Sequence, residues 1–436
     1  MENQNNKTQV IVVGGGPAGI SCAITIARAG KEVVLIERGK FSGSKNVFGG
    51  AIYAQPTREI FPDFEKNAPI ERKTVEHKYA LLGENDGTVI SYKNSLNDDS
   101  VSYSVIRGKF DRWMADEAKK AGVFIVEETV VKNLIIINGY VKGVRTEIED
   151  YYADIVILAD GVNSLLARQA GLRNTLKPED VALSVKEVIK LPQDVINERF
   201  HVNNDEGCIY EIFGGPMLGM LGLGFLYTNK DSVSIGLGIT LSDLIQKGIK
   251  PYEVLDKLKE HPEIAPLLKN GELLEYSAHL IPEGGYKKIP NIIGNGVMIC
   301  GDAAMFVNNM HWEGTNLAMI SGKIAGETSI IALGKGDFSE SALNRYQEGL
   351  ENSFIMKDLR TYRNLMELVA EREQDFLGYY PRKINSFFEM FTKTDSIPKR
   401  DKYRKFIKSF FTDRKFSDLL KDFWTIVKLL WSILVK

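Results

Sequence analysis

Three glycines carry the first chemical signal in this sequence. Gly14, Gly16 and Gly19, in "VIVVGGGPAGISCAITIARAGKEVVLIER", lie between an apolar β-branched run and an Ala/Ile-rich stretch. The spacing predicts a strand, a tight turn and a helix. Gly14 permits the turn, Gly16 lets backbone approach a pyrophosphate, and Gly19 lets helix and strand pack closely, with phosphate at the helix N-terminus. Glu37 closes the next apolar run, where a carboxylate can accept hydrogen bonds from ribose hydroxyls. Strand, glycines, helix, strand and acid in that order predict a dinucleotide-binding unit, without choosing between FAD and NAD.

Two later stretches repeat the pattern of a strand that ends in an acid. "YYADIVILADGVNSLLARQAG" closes on Ala159, Asp160 and Gly161; "NGVMICGDAAMFVNNMHWEGTNLAMISG" closes on Gly301 and Asp302, and a loop then leads to Gly314, Thr315 and Asn316 at a helix start. An acid at a strand end suits a ribityl or ribose hydroxyl. A second helix N-terminus brings partial positive charge to where a flavin's N1/C2 carbonyl edge gathers negative charge on reduction.

The elements that must hold these residues come from separated parts of the chain. The last motif arrives near residue 300, so the nucleotide-binding domain is expected from 7–75, 101–175 and 289–335 together. Asn138-Gly139 in "LIIINGYVKGV" predicts a hairpin with a type I′ turn. The alternating runs "VALSVKEVIKL", "GCIYEIFGG", "MLGLGFLYT" and "SVSIGLGIT" predict an inserted antiparallel sheet, a substrate domain of 76–100 and 176–288. Within it, Phe213 to Tyr227 reads either as buried sheet or as the wall of a substrate channel. Residues 336–415 read as a charge-rich helical region. The expected class is α/β: a Rossmann-type domain, an inserted antiparallel sheet and a helical C-terminal region.

Composition narrows the function classes. The chain has 436 residues, 44% of them hydrophobic, and a net charge of −2, which describes a globular protein with no electrostatic footprint for nucleic acid. The polar start "MENQNNKTQ" does not read as a signal peptide. Cys22, Cys208 and Cys300 are too far apart to read as a disulfide framework or metal set and fit a reducing cytosol. His77, His201, His261 and His279 have no ligand spacing, so no metal is expected.

At these motifs the chain resembles the glutathione-reductase-type flavoproteins with a split, hydroxylase-like FAD domain. Within them it resembles the FixC proteins and the electron-transfer-flavoprotein:quinone oxidoreductases. "GSKNVFGGAIY", "GFLYTNKDSVSIGLGI" and "GDAAMFVNNMHWEGTNLAMISG" are similar to FixC segments. The resemblance implies FAD, with Gly14, Gly16, Gly19 and Glu37 at the pyrophosphate and adenosine ribose. It implies Arg107 near the phosphates or ribityl chain, where the alternative is a surface charge at a helix start. It also implies Asp302 at the ribityl and pyrophosphate region, and Gly314, Thr315 and Asn316 at the isoalloxazine. Lys45, Asn46, Val47, Gly49 and Gly50 resemble the loop across the ring's other side, or form a plain glycine-rich loop. His311 and Trp312 are candidates beside the ring, or a satisfied histidine and a packed aromatic.

The resemblance also implies an oxidoreductase and a route for its electrons. No second strand-glycine-helix unit is found for NAD(P)H. Single-chain quinone oxidoreductases of this kind carry four cysteines for a 4Fe–4S cluster, whereas the last cysteine here is Cys300. A complex is therefore expected: a two-subunit electron-transfer flavoprotein, a ferredoxin-like iron-sulfur subunit, and this FAD subunit passing electrons to membrane quinone. Two other readings stay open, a geranylgeranyl-reductase-like flavoenzyme acting on isoprenoid double bonds and a flavin-free assembly subunit.

The end of the chain, "FWTIVKLLWSILVK", differs chemically from the rest. From Lys399 to Lys436 there are eleven Lys and Arg against four Asp, a local charge of +7. Wound as a helix, residues 416–436 put Asp418, Lys421, Asp422, Thr425, Lys428, Ser432 and Lys436 in one narrow stripe. A broad apolar face lies opposite, and Leu429 alone falls on the polar side. The apolar run is too short to span a bilayer, which takes about 20 residues. An interfacial helix on the cytoplasmic side of the cell membrane is expected, a dimer contact or a helix packed on the body being the alternatives.

Overall fold

The computed structural model describes residues 7–45, 49–94, 101–217 and 219–434. Its first ten strands are β1 (Lys7–Val13), β2 (Val33–Ile36), β3 (Ala51–Tyr53), β4 (Ile70–Leu82), β5 (Gly87–Lys93), β6 (Ser102–Val105), β7 (Phe124–Val126), β8 (Val131–Ile137), β9 (Tyr140–Thr146) and β10 (Asp150–Leu158). The rest are β11 (Val181–Lys190), β12 (Glu206–Gly214), β13 (Gly222–Thr228), β14 (Ser232–Thr240), β15 (Glu272–Pro282), β16 (Ile293–Gly294) and β17 (Val297–Ile299). Two compact units divide the chain: Met1–Thr74 with Leu96–Ala182 and Ser277–Arg363, and Val75–Ser95 with Leu183–Tyr276 and Asn364–Lys436.

The first unit is built on a sheet in the order β16, β17, β10, β1, β2, β7. β17, β10, β1, β2 and β7 run parallel, and the carboxyl ends of β10 and β1, Ile155 to Leu158 and Val10 to Val13, are buried apolar residues like most of β2, as a sheet covered on both faces requires. Register does the positioning. Val13 pairs with Ile36 and with Leu158, Leu158 pairs with Ile299, and Ile36 pairs with Val126. The residues that follow, Gly14, Glu37, Asp160, Gly301 and Asp302, therefore leave the sheet at one carboxyl edge, where α/β sheets bind ligands. The β8–β9 hairpin turns through Asn138 and Gly139 at φ 52° and 78°, values a type I′ turn needs.

Two helices cover this sheet, Pro17–Arg28 and Thr315–Lys335. They cross almost backbone to backbone. A Cβ on Gly322 would lie 2.0 Å from the carbonyl oxygen of Ala18, and one on Gly326 would lie 2.9 Å from that of Cys22. Among the described residues only the Thr315 helix is long and apolar enough to cross a membrane, and it is mostly buried in this core.

In the second unit β15, β11, β14, β13, β12 and β4 lie side by side in that order, with β5 on β4. One face packs a core of Ala80, Leu82, Cys208, Tyr210, Ile212, Leu226, Val233, Ile235 and Leu237 with Val254, Leu255 and Leu258 of a short helix. The stretch after residue 336, expected as one helical region, is shared between the units at Arg363 and Asn364. The reason is visible in the contacts. Tyr346, fully buried, donates to the Ile299 carbonyl of β17 at 2.9 Å, and Leu343, Leu350, Ile355 and Leu359 join the first core. Beyond Asn364, Gln374 donates to Gly219 O at 3.0 Å and Asn385 to Leu81 O at 3.1 Å, both within the second unit.

The last helix, Phe416–Leu434, sits with its polar side inward. Asp422 is 1% exposed and accepts from Arg372, Arg414 and Tyr380, the phenol at 2.8 Å. Asp375 pairs with the same two arginines at 3.0 Å. Asp418, Thr425 and Ser432 line up with Asp422 on this half-buried side, and so do Leu419, Leu429 and Ile433, while Lys421 and Lys428 stay exposed. Phe416, Phe423, Trp424, Leu430, Trp431 and Leu434 are each more than half exposed.

Candidate functional site

The glycine turn divides its labour. A Cβ on Gly14, whose φ is 106°, would strike the Ala159 carbonyl at 2.2 Å, and one on Gly19 would strike the Gly14 carbonyl at 1.9 Å. These two glycines are demanded by the fold. Gly16 is not: at φ −84° and ψ −177° any residue is allowed, and a Cβ there meets nothing within 4 Å. The glycine leaves open space at a helix N-terminus, a cradle shaped for backbone contact with an anion.

Glu37 is held beside the turn, accepting from Gly15 N at 2.8 Å and Gly39 N at 2.6 Å. The buried Ser42 hydroxyl next to it has no partner among the described residues. Lys45 lies against Gly39, its Cγ 3.3 Å from where a Cβ would stand, on the Glu37 side of the site. Asn46 and Val47 lie outside the described residues.

A second group forms around Arg107. Its guanidinium is buried and donates to both carboxylate oxygens of Asp111, at 2.7 and 2.9 Å. Gly49 is close to it, so that a Cβ there would lie 3.1 Å from Arg107 Nη1 and 3.8 Å from Thr315 Oγ1. Gly50 joins the same strand edge, its carbonyl accepting from Val105 N at 2.8 Å. Burial pushes the Asp302 carboxyl up to about 6 against the charge of Arg107. His279, at the end of β15, is driven down to about 4 by burial and by Arg107 and Arg38. It is a neutral imidazole in a positive field, which an anionic ligand would offset.

Asp160 is also pushed up to about 6 by burial, although Ser164 donates to it at 2.7 Å. Gly161, at φ 79°, has open space where a Cβ would stand. Arg173 ties this loop to the one after Asp302, donating to Val162 O at 2.7 Å and Ala303 O at 3.2 Å. Gly301, at φ 64°, lets the Asp302 loop lie against the first helix, with a Cβ there only 2.8 Å from Ala18 Cβ. Asp160 and Asp302 have carboxyls deep enough to lose solvation, yet each residue keeps some open surface, as groups facing a cavity do.

At the Thr315 helix, Gly314 is the N-cap and Asn316 is buried. Asn316 Nδ2 donates to Glu313 Oε2 at 3.1 Å, while its Oδ1 has no partner among the described residues. His311 and Trp312 stand on the exposed loop before the helix. His311 Nε2 is 3.0 Å from the Tyr362 hydroxyl, and Trp312 has a φ of 54°. The register thus brings Gly14, Gly16, Gly19, Glu37, Asp160, Gly161, Gly301 and Asp302 to one edge, and Arg107, Gly49 and Thr315 to one another. Asp111, Arg173, His279, Ser164 and the Glu283–Asn309 pair give no motif in the sequence, since each acts through contacts that only folding creates.

The chain matches the family described as "FAD binding domain" over residues 7–207, "ETF-QO, ubiquinone-binding" over 182–281 and "ETF-QO/FixC family C-terminal domain" over 365–431, where ETF-QO abbreviates the quinone oxidoreductase of electron-transfer flavoprotein. It is 40% identical to the protein FixC of Bradyrhizobium diazoefficiens over 418 residues, 94% of this chain and 96% of that one. The chain belongs to the FixC/ETF-QO family. It is also 38% identical to the probable electron transfer flavoprotein-quinone oxidoreductase YdiS of Escherichia coli, covering 96% of this chain and 98% of that one. A solved geranylgeranyl bacteriochlorophyll reductase-like protein of Thermoplasma acidophilum shares the fold with a TM-score of 0.73 at 21% identity, over 96% of this chain and 98% of that one.

As a member of the FixC/ETF-QO family the protein is an FAD-dependent oxidoreductase with a ubiquinone-binding family region. The residues present fit that cofactor. The cradle at Gly16, the unpartnered Ser42 hydroxyl and Asn316 amide oxygen, and two desolvated carboxyls at strand ends are what a long polyhydroxylated dianion would complete.

Proposed function

We propose that the protein accepts electrons from a two-subunit electron-transfer flavoprotein, through a ferredoxin-like iron-sulfur subunit, and passes them to quinone at the surface of the cell membrane. The observation that carries this reading is the outward apolar face of the last helix. An amphipathic helix packed for stability alone turns its apolar side inward; this one is fastened through Asp422 and turns Trp424 and Trp431 outward. Of the eleven Lys and Arg between Lys399 and Lys436, those not held inside the fold, as Arg414 and Lys402 are, complement anionic lipid, each well-placed charge contributing about 1 kcal/mol. Docked in the plane of the headgroups, the protein reaches an acceptor that stays dissolved in lipid.

When bound, FAD supplies the carrier that takes up and releases the electrons. The chain's part is to hold it. Gly14, Gly16 and Gly19 cradle the pyrophosphate with Arg107, while Glu37 and Lys45 hold the adenosine ribose end. Asp160, Gly161, Gly301 and Asp302 hold the ribityl chain, and Gly49, Gly50, Gly314, Thr315 and Asn316 frame the ring, with His311 and Trp312 on its rim. A 4Fe–4S cluster takes four thiolates, and Cys22, Cys208 and Cys300 are each buried with raised thiol pKa values. That supports a cluster on a separate subunit.

The test is a chain ended before Phe416. It should keep its FAD and still reduce a short water-soluble quinone, but lose flotation with anionic liposomes and activity on long-tailed quinone. Flotation equal to the full chain, or dimers that dissociate on truncation, would remove the helix from the membrane and give it to another contact.

A further inference from the structure

The second unit's sheet has two unlike faces. The face bearing Ala80, Cys208, Tyr210, Ile212 and Leu226 packs an apolar core. Alternation along β4, β12 and β13 sends His77, Tyr79, Glu211, Phe225 and Tyr227 to the other face. Here Glu211 Oε1 lies 3.2 Å from His77 Nδ1, which donates to it when the carboxyl is ionised. The other oxygen, Glu211 Oε2, is buried with no hydrogen-bond partner among the described residues. Leaving a buried carboxylate oxygen unpaired costs free energy that an apolar residue would not. Along β13 the Tyr227 ring stacks on Phe225 at a centroid distance of 4.9 Å, and Phe225 pairs with Glu211 across the β12–β13 ladder. Glu211, Phe225 and Tyr227 all fall within the ubiquinone-binding family region.

We propose that His77 and Glu211 are the proton-delivering pair for the quinone head group, which lies against Phe225 and Tyr227. This rests on the quinone reading above. Reduction of a quinone to a quinol takes two electrons, which the bound FAD supplies, and two protons, one on each carbonyl oxygen. The His77 Nε2–H bond breaks as one new O–H bond forms, and Glu211 steadies the imidazole through Nδ1–H. The His77 side chain is 36% exposed, so water reloads Nε2 and delivers the second proton. An aromatic wall with one acid–imidazole pair is the chemistry that recognises a flat ring bearing two carbonyls.

The test uses FAD-loaded full-length protein, reduced anaerobically, with two acceptors. Ferricyanide takes electrons and no protons; a water-soluble ubiquinone analogue takes both. His77→Gln and Glu211→Gln should slow quinone reduction at least tenfold and leave ferricyanide reduction within twofold. Free imidazole should restore part of the quinone rate to His77→Ala, a rescue that a merely structural histidine would not give. Quinone rates within twofold of the parent, or an equal fall with both acceptors, overturn the pair's role. Parent protein that reduces ferricyanide but no quinone overturns the acceptor assignment, and the pair's role with it.

Discussion

Gly16 separates what the fold needs from what the ligand needs. Its neighbours Gly14 and Gly19 cannot carry a Cβ without striking backbone, so their loss damages the turn itself. At Gly16 the space is open and the dihedrals are ordinary. Gly16→Val should therefore fold with a melting temperature close to that of FAD-stripped parent protein, and purify without FAD. Stoichiometric FAD on the folded variant would refute the cradle. The sequence motif located all three glycines and gave each its role, but the contact that holds Gly14, its clash with Ala159, crosses some 145 residues of chain and was not legible there. Glu283 was invisible in the sequence for the same reason. Burial lifts its carboxyl from an ordinary 4.5 to about 8, although Asn309 donates to it at 2.7 Å. A raised acid favours the fold while protonated, so its contribution is complete below about pH 4.5 and is lost as pH rises through about 8. In FAD-stripped protein, urea unfolding across that window should show the parent losing stability relative to Glu283→Gln. Parallel pH curves for the two would mean that the carboxyl titrates normally.

At the scale of elements, the parallel register was legible and the sidedness of the last helix was not. Apolar β-branched runs ending in glycine or acid identify β1, β10 and β17, and parallel pairing in register brings their ends together. The helix pattern of residues 416–434 gave an amphipathic helix, with no sign of which side faces the protein. That was decided by Arg372 and Arg414, whose guanidinium groups receive Asp422. Leu429, out of place on a solvent-facing stripe, fits an inward one. Removing one partner of a buried ion pair strands the others, at a cost of about 3–5 kcal/mol. Asp422→Ala should free the helix from its neighbours, detected as rapid protease cleavage between Asp413 and Phe416 in protein that retains FAD. Cleavage as slow as in the parent would show that the ion network does not fasten the helix.

For the whole molecule, the sequence offered one nucleotide-binding unit and three cysteines, and both bear on where electrons enter. With no second dinucleotide unit, NADH or NADPH alone should bleach the bound flavin slowly, while the complete set of partner proteins should bleach it fast. Rapid bleaching by NADPH in stopped-flow absorbance would overturn the proposed route. The boundary at Arg363 was hidden from the sequence, since the helices on either side look alike and only Tyr346 on one core and Gln374 on the other distinguish them. The helix that begins at the Gly16 cradle and the helix that begins at Gly314 cross through Gly322, set against the Ala18 backbone, and Gly326, set against the Cys22 carbonyl and the Thr25 side chain. The spacing between the two helix starts is set at that crossing, where Gly322 meets Ala18 in the first turn after Gly16. A methyl group added at Gly322 would force that crossing apart, because it would lie 2.0 Å from the Ala18 carbonyl oxygen. The close approach there works as a calliper that fixes the distance between the two helix starts.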